Sequence, residues 1–89
     1  MTRWRAEIKV MFKPSVNDPQ GLSIGGALHT LGFQTVSEVR AGKLIQVVLE
    51  ANDGAAAQAA VERMCQQLLA NPVIETYSAE LVEAPAPVP

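Results

Sequence analysis

The sequence predicts an α+β domain in which two helices pack on one face of an antiparallel sheet. Three observations favour this class: apolar and polar residues alternate near both ends of the chain, two segments have helical spacing with start and stop signals, and β-branched residues lie between them. A chain of 89 residues is long enough for one hydrophobic core but not for two. We therefore expect a single domain over residues 1–82, followed by a short tail over residues 83–89.

The first strand and the first helix have the clearest signals. Apolar and polar residues alternate over residues 4–13, from Trp4 to Lys13, which is typical of a half-buried strand. A helix is predicted within residues 17–32, because Asp18 can cap its first backbone N–H groups and Pro19 suits its first position. Gly32 can take the left-handed conformation that ends a helix.

This helix has an apolar side and several glycines. The apolar stripe recurs at three- and four-residue spacing and is expected to be buried against the sheet; it consists of Ile24, Ala27, Leu28 and Leu31. Glycine inside a helix costs about 1 kcal/mol relative to alanine. Gly21, Gly25 and Gly26 therefore indicate that another backbone approaches closely, either from the same chain or from a partner subunit.

A β-hairpin is predicted after the first helix. Residues 33–41 contain the β-branched Thr35, Val36 and Val39, and Gly42-Lys43 can form a tight turn before a further strand over residues 44–51. That last strand is apolar on both faces, which indicates that both of its faces are covered.

A second helix and a last strand complete the pattern. The helix is predicted from about residue 54 to residue 70, capped by Asn52 or Asp53 and ended by Asn71-Pro72. Its apolar side consists of Ala57, Val61, Met64, Cys65 and Leu68. Alternation over residues 73–82 predicts the last strand, and the Ala/Pro-rich residues 83–89 are predicted to be disordered.

The element order is therefore βαββαβ, which is the ferredoxin-like arrangement with both helices on one face of the sheet. The other face would be left uncovered, and its apolar residues would be Met11, Leu44, Val48 and Val82. Exposing such a patch costs about 25 cal/mol for each Å² of apolar area left in water. We therefore predict a homodimer or larger homo-oligomer that buries this face.

Composition and charge exclude several classes of partner. The net charge is −2 and no run of Lys or Arg follows one face, so nucleic acid is not an expected partner. A single Cys cannot form an internal disulfide, and the chain shows neither a secretory signal pattern nor an apolar run of membrane-spanning length. No membrane association is expected, and the cytoplasm is the expected location.

Residues that could carry chemistry are few. His29 is the only histidine and has no Cys, Ser or Asp at a spacing that indicates a catalytic pair, so a hydrogen-bonding role at the surface or an interface is favoured. Cys65 is predicted to be a small core residue. Without a CxxC motif or a His cluster, no catalytic, cofactor-binding or metal site is predicted. Arg40 and Lys43 flank the predicted turn and are either an anion grip or simply solvated.

Four motifs in order carry a resemblance to a known family: DPQG from Asp18, ALHTLGF from Ala27, VRAGKLI from Val39 and LLANPVIE from Leu68. With these motifs the chain resembles the PurS family, the small subunit of bacterial and archaeal phosphoribosylformylglycinamidine synthase. The resemblance spans residues 4–81, which is almost the whole predicted domain.

The resemblance implies a non-catalytic subunit in de novo purine biosynthesis. A PurQ-type glutaminase would release ammonia, a PurL-type synthetase would use ATP and Mg²⁺ to amidate formylglycinamide ribonucleotide, and a PurS-like homodimer or homotetramer would bridge them. It also implies no catalytic site and no cofactor on this subunit itself, since glutamine and nucleotide belong to the partners. His29, Arg40 and Lys43 match the family pattern and show no obvious fold role in the sequence, so we place them at a partner interface as a hypothesis.

The main alternative is a stand-alone ACT-like regulatory module that binds a small molecule near Gly21. Such a domain usually accompanies an enzyme on the same chain, and fold alone does not decide function. An acylphosphatase-like enzyme would need an Arg-bearing loop before the first helix, where this chain has Lys13, Pro14 and Ser15. RNA binding would favour stacking aromatics on the open sheet face, and the few aromatics here are mostly predicted to point inward.

Overall fold

The computed structural model describes residues 1–83. It contains three strands, β1 (Thr2–Phe12), β2 (Gly42–Ala51) and β3 (Glu75–Glu83), and two helices, α1 (Pro19–Thr30) and α2 (Gly54–Met64), the second continued by a π-helical turn over Cys65–Leu69. The strands form one antiparallel sheet in the order β2-β1-β3. The predicted α+β, ferredoxin-like fold class is confirmed.

The hydrophobic core lies between β1 and α2. Ala6, Ile8 and Val10 of the central strand are fully buried, and they pack against Val61 and Cys65 of the helical layer. This face of the sheet is called the helix side below. Because side chains alternate along a strand, the neighbouring residues of β1 point to the opposite face, called the open face below.

The predicted hairpin is wrong. Residues 33–41 form turns and irregular backbone, called the connecting segment below, and Gly42 and Lys43 are the first residues of β2 instead of a turn. The β-branched residues of this segment favour a strand only weakly, since strand propensity depends on neighbours to pair with. Here the backbone is held elsewhere: Ala41 N–H donates to the Asp18 carboxylate, and the Val39 carbonyl lies against α1.

Both ends of α1 form as predicted. Asp18 Oδ1 accepts a hydrogen bond of 3.0 Å from Gly21 N–H, and Pro19 is the first helical residue. At the other end Gly32 has φ +103°, and Phe33 N–H donates to the Leu28 carbonyl over 3.0 Å. This six-to-one bond after a left-handed glycine is a Schellman cap.

The predicted burial of the α1 apolar stripe against the sheet is wrong within the protomer. Ile24 is 40% exposed and Leu31 is 72% exposed. Among the described residues α1 has no extensive contact with any strand, whereas α2 contacts all three. The radius of gyration is 17.0 Å, compared with about 12 Å for a compact chain of this length. α1 therefore projects from the body formed by the sheet and α2.

The second helix follows the prediction until its last turn. Asp53 caps it by accepting a 2.8 Å bond from Ala56 N–H. The π-helical turn, in which Ala70 N–H donates to the Cys65 carbonyl, inserts one extra residue relative to an α-helix. Leu69 therefore packs on the core, and Leu68, which was predicted to be buried, is 83% exposed.

The last strand begins later than predicted and ends later. Val73 lies in the turn before it, where its N–H donates to the Asn71 side chain. Glu83, predicted to start the disordered tail, is the last residue of β3 and pairs with Trp4. The rest of the predicted tail, residues 84–89, lies outside the described residues. No helix in the described part of the chain is long and apolar enough to span a membrane.

Candidate functional site: a polar clamp, a cleft under α1 and an open sheet face

Asp18 joins the start of α1 to the start of β2. Its carboxylate accepts one hydrogen bond from Gly21 N–H at 3.0 Å and another from Ala41 N–H at 2.8 Å. These bonds, led by the one from Ala41, favour the charged form and lower the pKa of Asp18 below its usual 3.8. Asp18 is the one polar residue that is buried among those described. Its position is therefore fixed by the fold on two sides.

Arg40 joins the connecting segment to the end of β1. Its guanidinium donates to the Phe12 carbonyl at 2.6 Å and to the Lys13 carbonyl at 3.1 Å. The ion pair with Glu38 is long, at 3.7 Å, and the Glu38 side chain is largely exposed. Arg40 thus has a structural role that the sequence did not reveal, so one reason for assigning it to a partner interface no longer holds. Its placement at that interface remains a hypothesis.

A cleft of about 430 Å³ lies between α1 and the connecting segment. The glycines of α1 line it together with Asp18, His29, Val36, Val39 and Arg40. A Cβ at Gly21 would meet the Val39 carbonyl oxygen, so this glycine permits the close backbone approach that the sequence predicted. Gly25 has only ordinary contacts with Val39, and the position beside Gly26 is open.

His29 stands at the far end of this cleft. Its Nε2 lies 2.7 Å from the Val36 carbonyl oxygen, and the Nε2–H tautomer can donate to it. The His29 carbonyl accepts a 2.6 Å bond from the Gln34 side chain. His29 thus links the helix to the connecting segment while its ring remains exposed.

Lys43 lies apart from His29 and Arg40. It lines a second cleft, of about 220 Å³, with Phe12, Gln20 and Glu75. Its ammonium group is 3.9 Å from the Glu75 carboxylate, and the Lys43 side chain is 58% exposed. Of the three predicted interface residues, His29 and Arg40 therefore line the first cleft, and Lys43 lines the second.

The open face has the residues that the sequence assigned to it. Leu44 and Val48 of β2 lie opposite Lys9 and Arg5 of β1, and Val82 of β3 lies opposite Arg5 from the other side. Leu44 is 65% exposed, Val48 56% and Val82 45%, while Met11 is half-buried. The predicted grouping of Met11, Leu44, Val48 and Val82 on one face thus agrees with the strand register; its burial in a homo-oligomer remains a prediction.

Arg5 is a feature of the open face that the sequence analysis missed. It lies between Val48 and Val82, and its Nε atom is buried without a hydrogen-bond partner. A buried guanidinium nitrogen without an acceptor is unfavourable. Its position in the alternating pattern was predictable, but the burial of its Nε atom was not.

Titratable groups elsewhere are tied to the core. Burial raises the pKa of the Cys65 thiol, with a further contribution from the nearby Glu62 carboxylate. Tyr77 OH donates to Glu62 Oε2 at 2.6 Å, and this hydrogen bond is the main reason why the pKa of Tyr77 is raised above 10.0. Within residues 1–83 no three His, Cys, Asp or Glu side chains are grouped as a metal-ligand set.

These features define a class: a small ferredoxin-like α+β domain with a helix that stands off the sheet, a polar clamp at the base of that helix, and an open sheet face with exposed apolar residues on its outer strands. A family model described as PurS, phosphoribosylformylglycinamidine (FGAM) synthase, matches residues 5–83. The chain belongs to the PurS family of FGAM synthase subunits.

Named relatives agree with this assignment. The PurS subunit of phosphoribosylformylglycinamidine synthase from Synechocystis is 46% identical over 78 residues, which is 88% of this chain and 78% of that protein. The B. subtilis PurS structure is 39% identical with a TM-score of 0.81, covering 90% of this chain and 99% of that one. A chain in the structure of PurLQS from Thermotoga maritima is 32% identical with a TM-score of 0.84, covering 92% of this chain and 100% of that one.

Proposed function

We propose that this protein is a non-catalytic subunit of phosphoribosylformylglycinamidine synthase, and that it holds a PurQ-type glutaminase and a PurL-type synthetase together. The observation that carries the proposal is the match to a chain of PurLQS along its full length. Because this chain shares the fold of that chain and is 32% identical to it, we infer that it presents comparable surfaces to the same kinds of partner.

The reaction of the complex requires ammonia to be transferred between two active sites, and a bridging subunit would hold these sites together. Ammonia released from glutamine is readily protonated in water, and ammonium is not a nucleophile. Fixing the two active sites in one geometry shortens the path and raises the effective concentration at the acceptor amide. We assign glutamine to the glutaminase partner and ATP and Mg²⁺ to the synthetase partner, with no cofactor on this chain. We assign the complex to the cytoplasm, as expected for de novo purine biosynthesis.

Two surfaces support this assembly role. The cleft lined by His29 and Arg40 and the second cleft lined by Lys43 present polar side chains among apolar ones, and we assign them to contact with a protein partner. The open face, with its exposed valines and leucine, is suited to self-association into a homodimer or homotetramer. The ACT-like alternative has the cleft beside Gly21 in its favour, but the family match favours the PurS-type role over it.

Reconstitution tests the proposal. The chain is mixed with the PurL-type and PurQ-type proteins of its own organism, and amidine formation is measured with glutamine or with an ammonium salt as nitrogen source. We expect omission of this chain to lower glutamine-dependent synthesis at least about 10-fold, a loss of effective concentration, while synthesis from ammonium salt falls much less. Full glutamine-dependent synthesis without this chain would contradict the bridging role.

A further inference from the structure

The bend between the helical layer and β3 carries two highly exposed apolar side chains. Leu68 is 83% exposed and Val73 is 75% exposed. The exposed residues of this bend are called the corner surface below, and they are Gln66, Gln67, Leu68, Asn71, Pro72 and Val73. Most of them belong to the motif LLANPVIE. A single exposed leucine or valine is ordinary on a protein surface, but the fold presents these two in a specific way.

The exposure of Leu68 is set by the π-helical turn. Ala70 N–H donates to the Cys65 carbonyl over 3.0 Å, and the extra residue in this turn gives the core position to Leu69. The fold therefore does not need an apolar residue at position 68. π-helical turns of this kind occur frequently at functional sites. A leucine that such a turn directs outward is suited to contact with another molecule.

Val73 is presented by a turn that several hydrogen bonds hold in place. Its N–H donates to the Asn71 side chain at 3.0 Å, and Glu75 N–H donates to the Asn71 carbonyl at 2.7 Å. Asn71 N–H in turn donates to the Glu75 carboxylate at 2.8 Å. Pro72 between them has a fixed φ. A surface that is already held in one conformation loses little entropy when a partner binds.

The corner surface has no charge of its own and borders a charged pair. Residues 64–74 contain no Asp, Glu, Lys or Arg. Glu75 belongs to both regions, because one carboxylate oxygen accepts from Asn71 N–H and the other lies 3.9 Å from the Lys43 ammonium group. Charged residues are depleted at the core of protein interfaces, and the rim is polar. The corner surface is therefore continuous with the second cleft, which we assign to a protein partner.

The composition of the corner surface favours a partner other than a second copy of this chain. Three of its side chains are amides and one is proline, beside the two large apolar side chains. Interfaces between proteins that also exist apart have a balance of this kind, whereas homodimer interfaces are more apolar. The amides can donate and accept hydrogen bonds at the edge of a groove that the apolar side chains fill.

We propose that the corner surface docks into an apolar groove on a different protein subunit of the complex, with Leu68 and Val73 buried in that groove. The walls of the groove carry few charges, because a charged group buried against the corner surface would find no opposite charge there. The inference rests on the assembly role proposed above, and it names a contact through which that assembly forms.

Two variants at one position give the first test. Leu68→Gln and Leu68→Met have side chains of similar size, and they differ in polarity. Calorimetric titration measures binding of the full chain to the PurL-type and PurQ-type proteins of its own organism, each alone and both together. We expect Leu68→Gln to raise the Kd of the complex that uses the contact at least about 10-fold, as for one buried leucine. Leu68→Met is expected to change it less than about 3-fold. Equal effects of the two variants in every combination would overturn the proposal.

Val73→Thr tests the second apolar side chain. It keeps the branched shape and replaces one methyl group by a hydroxyl, which would be left without a partner in the groove. We expect the same Kd to rise about 3- to 10-fold, and an unchanged Kd would exclude Val73 from the contact. Sedimentation equilibrium of Leu68→Gln alone is the control, and its self-association should match that of the unmodified chain. Weaker self-association would mean that a second copy covers the corner surface, and the proposal would be wrong.

A further test uses the unmodified chain and so does not depend on the folding of a variant. The chain is deuterated except for its Leu and Val methyl groups and is mixed with protonated partner proteins. Saturation of the partner protons should then reach the methyl groups of Leu68 and Val73 more strongly than those of Val48 on the open face. Saturation transfer that reaches only methyl groups outside residues 66–73 would overturn the proposal.

The corner contact and the assembly role can fail separately. If omission of the chain lowers glutamine-dependent synthesis while Leu68→Gln assembles like the unmodified chain, the assembly role stands and the corner contact is wrong. If omission has no effect on synthesis while Leu68→Gln still binds a partner more weakly, the corner contact stands and the bridging role is wrong.

Discussion

α1 and α2 are helices of 12 and 11 residues in the same chain, yet different interactions hold them in place. α2 is held by apolar packing: Ala57 and Val61 are buried, and Val61 packs with the core residues of β1. α1 is held by polar bonds at its base, from Asp18 and Arg40, and by one close backbone approach at Gly21. Burial fixes α2 within the protomer, whereas α1 is positioned as a projecting arm. The comparison shows that a helix can be well specified at both ends without being packed along its length.

The largest expected loss of stability comes from creating a cavity in the core under α2. Ile8 is fully buried between the sheet and the helix, and Ile8→Ala removes packing that no neighbour can replace. We expect a loss of about 2–5 kcal/mol in the free energy of unfolding. Urea denaturation at fixed protein concentration measures it. The matched variant Leu68→Ala, at a position 83% exposed, is expected to change stability by less than about 0.5 kcal/mol. Similar losses for both would mean that burial does not hold this region.

Alanine substitutions at two glycines of α1 distinguish two effects on stability: the steric clash of an added Cβ, and the higher helix propensity of alanine. A Cβ at Gly21 would meet the Val39 carbonyl oxygen, which is backbone and cannot rotate away. We expect Gly21→Ala to destabilise the fold by about 1–3 kcal/mol. Gly26 has open space beside it, so Gly26→Ala is expected to stabilise it by up to about 1 kcal/mol. Thermal unfolding of the two variants checks the difference in sign, and destabilisation by both would indicate that Gly26 is also in close contact in the assembly.

The two aspartates that cap the helices have different numbers of partners. Asp53 accepts one bond, from Ala56 N–H, and Asp53→Ala is expected to cost about 1 kcal/mol. Asp18 also accepts from Ala41 N–H, so Asp18→Ala is expected to cost more, with a loss of protection from hydrogen exchange at Ala41. Equal losses would mean that the bond to Ala41 contributes nothing.

The lowered pKa of Asp18 also predicts a dependence on pH. Its contribution to stability is present above 3.8 and is lost as pH falls through the lower pKa of the folded state. Stability curves of the unmodified chain and of Asp18→Asn should therefore converge as the pH falls below 3.8. Curves that stay parallel down to the lowest pH at which the protein folds would show that the carboxylate gains nothing from its charge.

The sequence predicted what depends on local chemistry. The caps of Asp18 and Gly32 and the apolar alternation of β1 were found where the pattern placed them, and Asp53 caps α2 as one of the two predicted candidates, Asn52 and Asp53. These features need only a few neighbouring residues to be satisfied. The open-face grouping was also correct, because the strand period of two fixes it once the strands are known.

Most of the predictions that failed depend on contacts distant in sequence. The connecting segment had the composition of a strand, but its backbone groups bind Asp18 and face Gly21. The stripe of α1 was correctly recognised as apolar, yet it has no sheet in its own protomer to pack on. Leu68 was predicted to be buried, but the π-helical turn shifts the helix face by one residue and leaves it exposed. No local signal in the sequence marks that shift. The structural role of Arg40 could not be predicted from the sequence, because its acceptors are backbone carbonyls of residues 12 and 13, which are 28 and 27 residues away in the chain.

The smallest effect on stability is expected at Lys43, and for that reason it is the best probe of partner docking. Arg40 is a poor probe, because its loss would disturb the base of α1 as well as any interface. The ion pair of Lys43 with Glu75 is long and its Lys43 side chain is 58% exposed, so Lys43→Ala is expected to change the free energy of unfolding by less than about 0.5 kcal/mol.

If Lys43 lies at a partner interface, Lys43→Ala should weaken assembly with the synthetase-type and glutaminase-type proteins about 3- to 10-fold, mainly through slower association at low salt. Arg63→Ala, which removes the same charge from the exposed side of α2, is the matched control. Binding kinetics at two salt concentrations measure both variants. Neither variant is expected to disturb the fold, so we would attribute slower association of Lys43→Ala alone to the partner-facing surface around Lys43, and identical kinetics would remove Lys43 from the interface.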